Sequence, residues 1–145
     1  MRKSKINISG FKIGTAENRE GLTGVTVILA PDGGATAGVD VRGCAPGTRE
    51  TDLLDPRKTV QKIHAVVLSG GSVFGLEAAS GCVKYLAEQG VGFPIGNVCV
   101  PIVCSAVLFD LMIGDEKAYP DLLMGYEAAK SASSEFLSGC NGAGT

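Results

Sequence analysis

Ala65-Val66-Val67-Leu68-Ser69-Gly70-Gly71-Ser72-Val73-Phe74-Gly75-Leu76 is the stretch on which the reading of the fold turns. Its first four residues are continuously apolar, as suits a strand buried on both faces. Ser69-Gly70-Gly71-Ser72 then supplies the small residues of a tight turn, and a helical pattern follows. Val73, Leu76, Ala79, Val83 and Leu86 recur at spacings of three and four, while Glu77, Lys84 and Glu88 fall elsewhere. Ser72 is placed to cap this helix and Gly90 to stop it. A buried strand, a glycine turn and an amphipathic helix in succession predict an α/β fold.

On the N-terminal side, residues 11–16, 23–30 and 35–42 are short apolar or alternating runs separated by Gly, Asn, Asp and Pro, and each is expected to be a strand. Thr23-Gly24-Val25-Thr26-Val27-Ile28-Leu29-Ala30 is the clearest, closed by the turn signal Pro31-Asp32-Gly33-Gly34. In residues 37–42, Val39 and Val41 alternate with Asp40 and Arg42. Residues 48–56 are charged, end at Pro56 and read as a connecting loop.

On the C-terminal side, residues 98–111 are strongly apolar and broken by Pro101, which permits one long strand or a strand plus a turn. A second helix is expected from Pro120 or Asp121 to about Ser134, with Leu122, Leu123, Tyr126 and Ala129 on one side. The chain then runs into the glycine-rich Gly139-Cys140-Asn141-Gly142-Ala143-Gly144-Thr145.

Composition excludes several classes. The 145 residues are 45% hydrophobic and 19% charged, enough for one domain, 1–145, with a real core. The formal net charge is -2, and Lys and Arg cluster only at Met1-Arg2-Lys3-Ser4-Lys5, so a nucleic-acid partner is not expected. No run reaches the roughly 18 apolar residues of a membrane helix, and the start lacks a secretory h-region; a cytoplasmic protein without membrane contact is expected. Five cysteines, Cys44, Cys82, Cys99, Cys104 and Cys140, include no CxxC pair and have one histidine beside them in the whole chain, which argues against a disulfide framework or a zinc site. Free buried thiols are expected, with no metal and no cofactor.

Few residues invite chemistry. The backbone N–H groups at the Gly70-Gly71-Ser72 junction could hold an anion or an oxyanion at a helix N-terminus. The plainer reading is a tight βα turn that needs small residues, since neither a P-loop ending nor dinucleotide spacing is present. His64 precedes a buried strand with no nucleophile motif near it and reads as a surface or strand-edge histidine. Glu77 complements the helix dipole as well as it would serve a substrate amine. Cys104 and Ser105 lie in an apolar run with no visible base, and core packing accounts for Cys104.

Several segments, taken in order, carry a resemblance: Thr23-Gly24-Val25-Thr26-Val27, Gly38-Val39-Asp40-Val41-Arg42-Gly43, Ala45-Pro46-Gly47-Thr48-Arg49-Glu50-Thr51-Asp52-Leu53-Leu54, Leu68 to Leu76, Val100-Pro101-Ile102-Val103, Phe109-Asp110, Tyr119-Pro120-Asp121 and Gly142-Ala143-Gly144-Thr145. From about Gly21 to Thr145 the chain resembles the DmpA-type self-processing aminopeptidases, a family that includes D-aminopeptidases, β-peptidyl aminopeptidases and nylon-oligomer hydrolases.

The resemblance implies a four-layer αββα sandwich of the N-terminal-nucleophile kind, made as one precursor about twice this length that cuts itself into two subunits. The new N-terminal Ser or Thr is then the nucleophile and its α-amine the base, which suits a chain with a single histidine. On this reading the chain is the truncated N-terminal portion of the precursor. Its nucleophile is expected beyond Thr145 and no catalytic residue is assigned here. The expected partners are a peptide or small amide substrate, the remainder of the precursor with its second subunit, and further copies in a homo-oligomer.

By the same resemblance, the region after Pro101 lines the substrate pocket, which makes Ser105 and Phe109 substrate-binding candidates. The Gly70-Gly71-Ser72 turn joins them. β-Peptidyl members carry an amine-binding glutamate near this place, whereas Val103-Cys104-Ser105 has none. Cys44, Cys104 and Asn141 depart from the family pattern, which has small residues, Pro or Ala, and Val there. Two other readings stand beside the hydrolase: an ornithine-acetyltransferase-like acyltransferase, and a noncatalytic assembly or binding module left by truncation.

Overall fold

The computed structural model describes residues 2–145. Its centre is a five-stranded sheet built from β2 (Lys12–Asn18), β3 (Thr23–Leu29), β4 (Thr48–Arg49), β5 (Ala65–Ser69) and β8 (Val103–Val107), in the order β2-β3-β5-β8-β4. β2 and β3 form an antiparallel hairpin from Lys12↔Leu29 to Asn18↔Thr23, and β3 pairs antiparallel with β5. β5 and β8 are parallel, from Ala65↔Val103 to Ser69↔Val107. Parallel neighbours need a crossover, and it is made here by a 3₁₀ segment (Ser72–Glu77), helix α1 (Ala78–Glu88) and a small hairpin of β6 (Phe93–Ile95) and β7 (Val98–Val100). Helix α2 (Leu122–Lys130) follows, and β9 (Glu135–Ser138) returns to pair with β1 (Arg2–Lys5) in a separate ribbon.

Side-chain alternation divides the sheet into two unequal faces. Val25, Val27, Leu29, Ala65, Val67 and Val103 point to one side and pack against Ala78, Ala79, Cys82 and Leu86 of α1 and Ala128 and Ala129 of α2. Val25, Val27 and Val67 are completely buried, and each contributes about 1.5–3 kcal/mol. Small residues let the helices approach, and the N-cap Asp121 holds α2 by accepting from the Met124 amide at 2.8 Å. Gly90 ends α1 with φ at 68°. Its amide donates to the Ala87 carbonyl and that of Val91 to Leu86, a Schellman motif of the kind expected from the glycine.

The other face is half-covered. A second, smaller cluster of Ile63, Ile102 and Cys104 gathers Ala37, Leu53, Leu54, Val60, Val66 and Phe93 beneath the segment that leads into β5. β5 is therefore buried completely on its helix side only, since Val66 and Leu68 on this second face keep partial exposure. The terminal turn of residues 142–144 lies on this face too, with Ala143 donating its amide to Thr26 Oγ1 at 3.1 Å.

Several expectations need correction. Residues 35–42 form no strand: Ala35 makes one isolated bridge to Ile63, and Val39 and Val41 remain exposed because no strand among the described residues pairs with them. The supposed loop at 48–56 contributes β4, which closes the sheet edge by pairing with β8, and a single 3₁₀ turn at Asp52–Leu54. Ser72 does not cap a helix through its side chain; it opens the 3₁₀ segment, whose N-cap is Gly71. Val73 and Leu123 face solvent: Val73 lies in the 3₁₀ segment ahead of α1, and the buried residues of α2 are Gly125, Ala128 and Ala129. α2 stops at Lys130, four residues short of Ser134. All five cysteines are free, but only Cys82 and Cys104 are buried; Cys99 is half-buried, and Cys44 and Cys140 are exposed.

Candidate functional site

Open α/β sheets hold ligands beyond the carboxyl ends of their parallel strands. Here β5 ends at Ser69 and β8 at Val107. The two chain exits are tied to each other: the Leu108 amide donates to the Ser69 carbonyl at 2.8 Å, and the Ser72 amide donates to the Leu108 carbonyl at 3.0 Å. Gly70 donates its amide to Gly24 of β3 at 2.9 Å. Gly71 donates its amide to Asp110 Oδ1 at 2.6 Å, and Thr23 donates its hydroxyl to Asp110 Oδ2 at 2.8 Å. All three amides of the turn are thus engaged inside the protein, so the sequence-based idea of an anion held by them has no free donor among Gly70, Gly71 and Ser72.

The turn takes its shape from its neighbours. Gly71 has φ at 77° and Ser72 at 52°, and a non-glycine residue in the left-handed region costs about 1–3 kcal/mol unless its surroundings enforce it. A Cβ at Gly70 would overlap Asp110 Oδ2 and Thr23 Oγ1, and one at Gly71 would stand 2.5 Å from Tyr119 Cβ. Tyr119 in turn stacks on Phe74, with ring centroids 4.7 Å apart and planes inclined by 21°. Phe109, between the two pinned residues Leu108 and Asp110, is 70% exposed. The stacked Phe74 and Tyr119 thus lie against the glycine turn, and the exposed Phe109 follows the residue bonded to it.

The structure therefore brings together Gly70, Gly71, Ser72 and Phe109, and it separates Ser105 from them. Ser105 lies in the middle of β8 beside Val67, on the helix-facing side, 2% exposed and with its hydroxyl unpartnered among the described residues. On the opposite face a groove of about 280 Å³ runs along β8 past Cys104, Ser105 and Ala106, walled by residues 37–42, Thr51 and Leu54. Asp110 is the residue that sequence reasoning passed over. It stands in the sequence within the resemblance segment Phe109-Asp110 but with no role attached, because its partners Thr23 and Gly71 are distant in sequence.

The remaining candidates have structural places. His64 is buried, not at the surface: its Nδ1 accepts the Ile102 amide at 3.1 Å, and burial holds its pKa below the ordinary histidine value. Cys104 donates its thiol to the Glu50 carbonyl at 3.3 Å, and its pKa is raised by burial and then by the Glu50 charge. Glu77 is exposed. Among the described residues no group of three His, Cys, Asp or Glu could hold a metal ion, and no helix is long and apolar enough to cross a membrane.

A further polar cluster anchors the terminal turn. Asn141 is 7% exposed. With its amide oriented to suit its neighbours, its nitrogen donates to Glu17 Oε1 at 2.8 Å and its oxygen accepts from Thr15 Oγ1 at 2.7 Å. Glu17 also receives Arg19 Nη2 at 2.9 Å and the Gly142 amide at 3.4 Å.

Comparison with known proteins places these features in a family. The model of peptidase family S58 matches residues 5–145. An uncharacterised aminopeptidase of Mycobacterium bovis is 46% identical over 121 residues, covering 83% of this chain and 35% of the relative. A 6-aminohexanoate-oligomer endohydrolase of Kocuria sp. is 36% identical over 141 residues, covering 97% of this chain and 37% of the relative. The crystal structure of the PH0078 protein from Pyrococcus horikoshii superposes with a TM-score of 0.75 at 22% identity, over 95% of this chain and 43% of that one, which shows a shared mixed α/β fold. The chain spans just over a third of the length of these curated relatives. On the family match and the identity to these relatives, the chain belongs to peptidase family S58.

Proposed function

We propose that this chain is scaffold and pocket wall of a self-processing amide hydrolase, an aminopeptidase that releases amines from peptides or small amides. The observation that carries the reading is the match to peptidase family S58 over residues 5–145. The nucleophile, a Ser or Thr made N-terminal by self-cleavage, is assigned to the part of the precursor beyond Thr145. Its hydroxyl would attack the amide carbonyl while its own α-amine takes the proton and passes it to the departing amine as the C–N bond breaks, and water would then hydrolyse the acyl ester to free the acid and restore the hydroxyl. Phe109 and the Gly70-Gly71-Ser72 turn then form the wall against which the substrate is placed, with Phe74 and Tyr119 extending it.

The arrangement of the sheet supports this role. Both helices pack on one face, while the other is half-covered and receives the terminal turn. Such a face is suited to packing against a second sheet, as a four-layer αββα sandwich requires. The assembled protein is read as a cytoplasmic homo-oligomer of processed subunits.

The test is to express the longer precursor that contains this sequence and follow its intact mass. Cleavage into two pieces, with amine release from alanine and β-alanine p-nitroanilides or from 6-aminohexanoate oligomers, is the expected result. An unprocessed, inactive protein would count against it and favour an assembly module. Acyl transfer that depends on added ornithine would replace the hydrolase with an acyltransferase.

A further inference from the structure

We infer that Asp110 is the positioning residue of this site: its carboxylate fixes the Gly70-Gly71-Ser72 turn and the Phe109 wall in one orientation relative to the sheet. The inference rests on the functional reading above. Its evidence is the set of bonds at the carboxylate. Oδ1 takes the Gly71 amide at 2.6 Å and Oδ2 takes the Thr23 hydroxyl at 2.8 Å, so one side chain joins the exit of β5 to the first residue of β3. Hydrogen bonds to an ionised acceptor are shorter and about twice as strong as neutral ones.

The neighbours are shaped to admit this carboxylate. It occupies the space that a Cβ at Gly70 would need, so the glycine and the aspartate are matched to each other. Gly71 sits at φ 77° with its amide on Oδ1, and Ser72 follows at 52° in the left-handed region. The backbone exchange between Ser69, Leu108 and Ser72 then locks residue 108 onto the turn. Phe109 is held on one side by that exchange and on the other by Asp110 itself. Release of the carboxylate would free both the turn and the phenylalanine beside it.

Asp110 touches the turn and β3 and carries no reacting group, so its loss is expected to weaken substrate placement more than the chemical step. A misplacement of about 1 Å can cost two orders of magnitude in enzyme efficiency. In the processed peptidase, Asp110→Ala is expected to raise KM for an aminoacyl p-nitroanilide about ten-fold or more while kcat changes by less than about three-fold. Asp110→Asn keeps an acceptor for the Gly71 amide and is expected to recover part of the loss. Hydrogen exchange in the same proteins is expected to show the Gly71 amide protected in the parent and released by Asp110→Ala.

The outcomes separate. A folded Asp110→Ala enzyme with unchanged KM overturns the positioning role and leaves the hydrolase reading standing. A Gly71 amide that exchanges alike in parent and variant overturns the clamp itself. If Asp110→Ala does not fold, Thr23→Val, which removes one of the two bonds, must raise KM in a folded protein or the role falls. A parent that neither processes nor hydrolyses overturns the hydrolase reading and the positioning role with it, even where Gly71 is protected.

Discussion

Gly125 of α2 lies directly against the carbonyl of Ala78 of α1, so close that a Cβ at position 125 would overlap the Ala78 oxygen. The reciprocal contact is equally tight, for a Cβ at Gly81 would overlap the Leu122 oxygen. Two glycines inside helices are unfavourable for the helices alone, by about 1 kcal/mol each relative to alanine. They are tolerated because the closeness brings Ala78, Ala79, Cys82, Ala128 and Ala129 into complete burial over Val25, Val27 and Val67.

Gly125→Ala should therefore destabilise the protein despite its better helix propensity. Forcing a methyl group into a filled contact costs about 1–3 kcal/mol, which corresponds to a fall of roughly 2–10 °C in the melting midpoint for a chain of this size. Thermal melts of Gly125→Ala and of a solvent-facing control, Leu123→Ala, measure the difference. A Gly125→Ala protein that melts higher than the parent would show that the helices are not in such close contact.

Asn141 links Glu17 to Thr15. Asn141→Val should remove both bonds and leave the Thr15 hydroxyl unpaired. Hydrogen bonds to charged groups are worth about 1.5–3 kcal/mol, so a loss of that order is expected in urea denaturation. Faster amide exchange confined to residues 142–145 should accompany it. A variant as stable as the parent would mean that valine packing replaces the polar link.

How much of this was legible beforehand follows from the range of each interaction. β2, β3 and β5 could be read because their burial is written in local alternation and apolar runs, and the end of α1 because the Gly90 amide bonds a carbonyl only three residues back. Residues 35–42 alternate just as well, yet a strand also needs a neighbour, and alternation says nothing of one. The ribbon of β1 and β9 joins Arg2 to Ser138 and has no local signature. The same limit hid Asp110: its side chain bonds Thr23 and Gly71, 87 and 39 residues away in the chain. Large apolar residues dominate a periodic pattern, yet Val73 falls in the 3₁₀ segment before α1 and Leu123 faces solvent because α2 packs through Gly125, Ala128 and Ala129.

The cysteines should divide by exposure when the folded protein is alkylated at pH 8 with iodoacetamide. Cys44 and Cys140 are exposed and should react first, with Cys99 slower. Cys82 has no exposure, and burial pushes its thiol up to about 12, so almost no thiolate is present. Cys104 is raised in the same direction by burial and the Glu50 charge. Peptide mass analysis should find Cys82 and Cys104 modified only after unfolding; early modification of Cys82 would contradict the packing of α1 on the sheet.

His64 should give the protein a pH dependence that one substitution can isolate, since it is the single histidine in the chain. Its pKa is lowered on folding from 6.5 by burial, and the Ile102 amide donating into Nδ1 requires the unprotonated nitrogen. In the unfolded chain the ring takes up a proton as pH falls through about 6.5, while in the folded chain it does so only at lower pH. The unfolded state therefore binds more protons in this window, and stability is full above 6.5 and declines as the pH falls toward the folded value. The slope cannot exceed about 1.4 kcal/mol per pH unit for one proton. Carboxylates titrate mainly below this range, so urea denaturation between pH 7 and 5 should show the decline in the parent and a flatter curve in His64→Gln. Glutamine can still accept the Ile102 amide through its oxygen, which keeps the comparison to charge. A parent whose stability is flat from pH 7 to 5 would mean that His64 can be protonated in the folded state without cost.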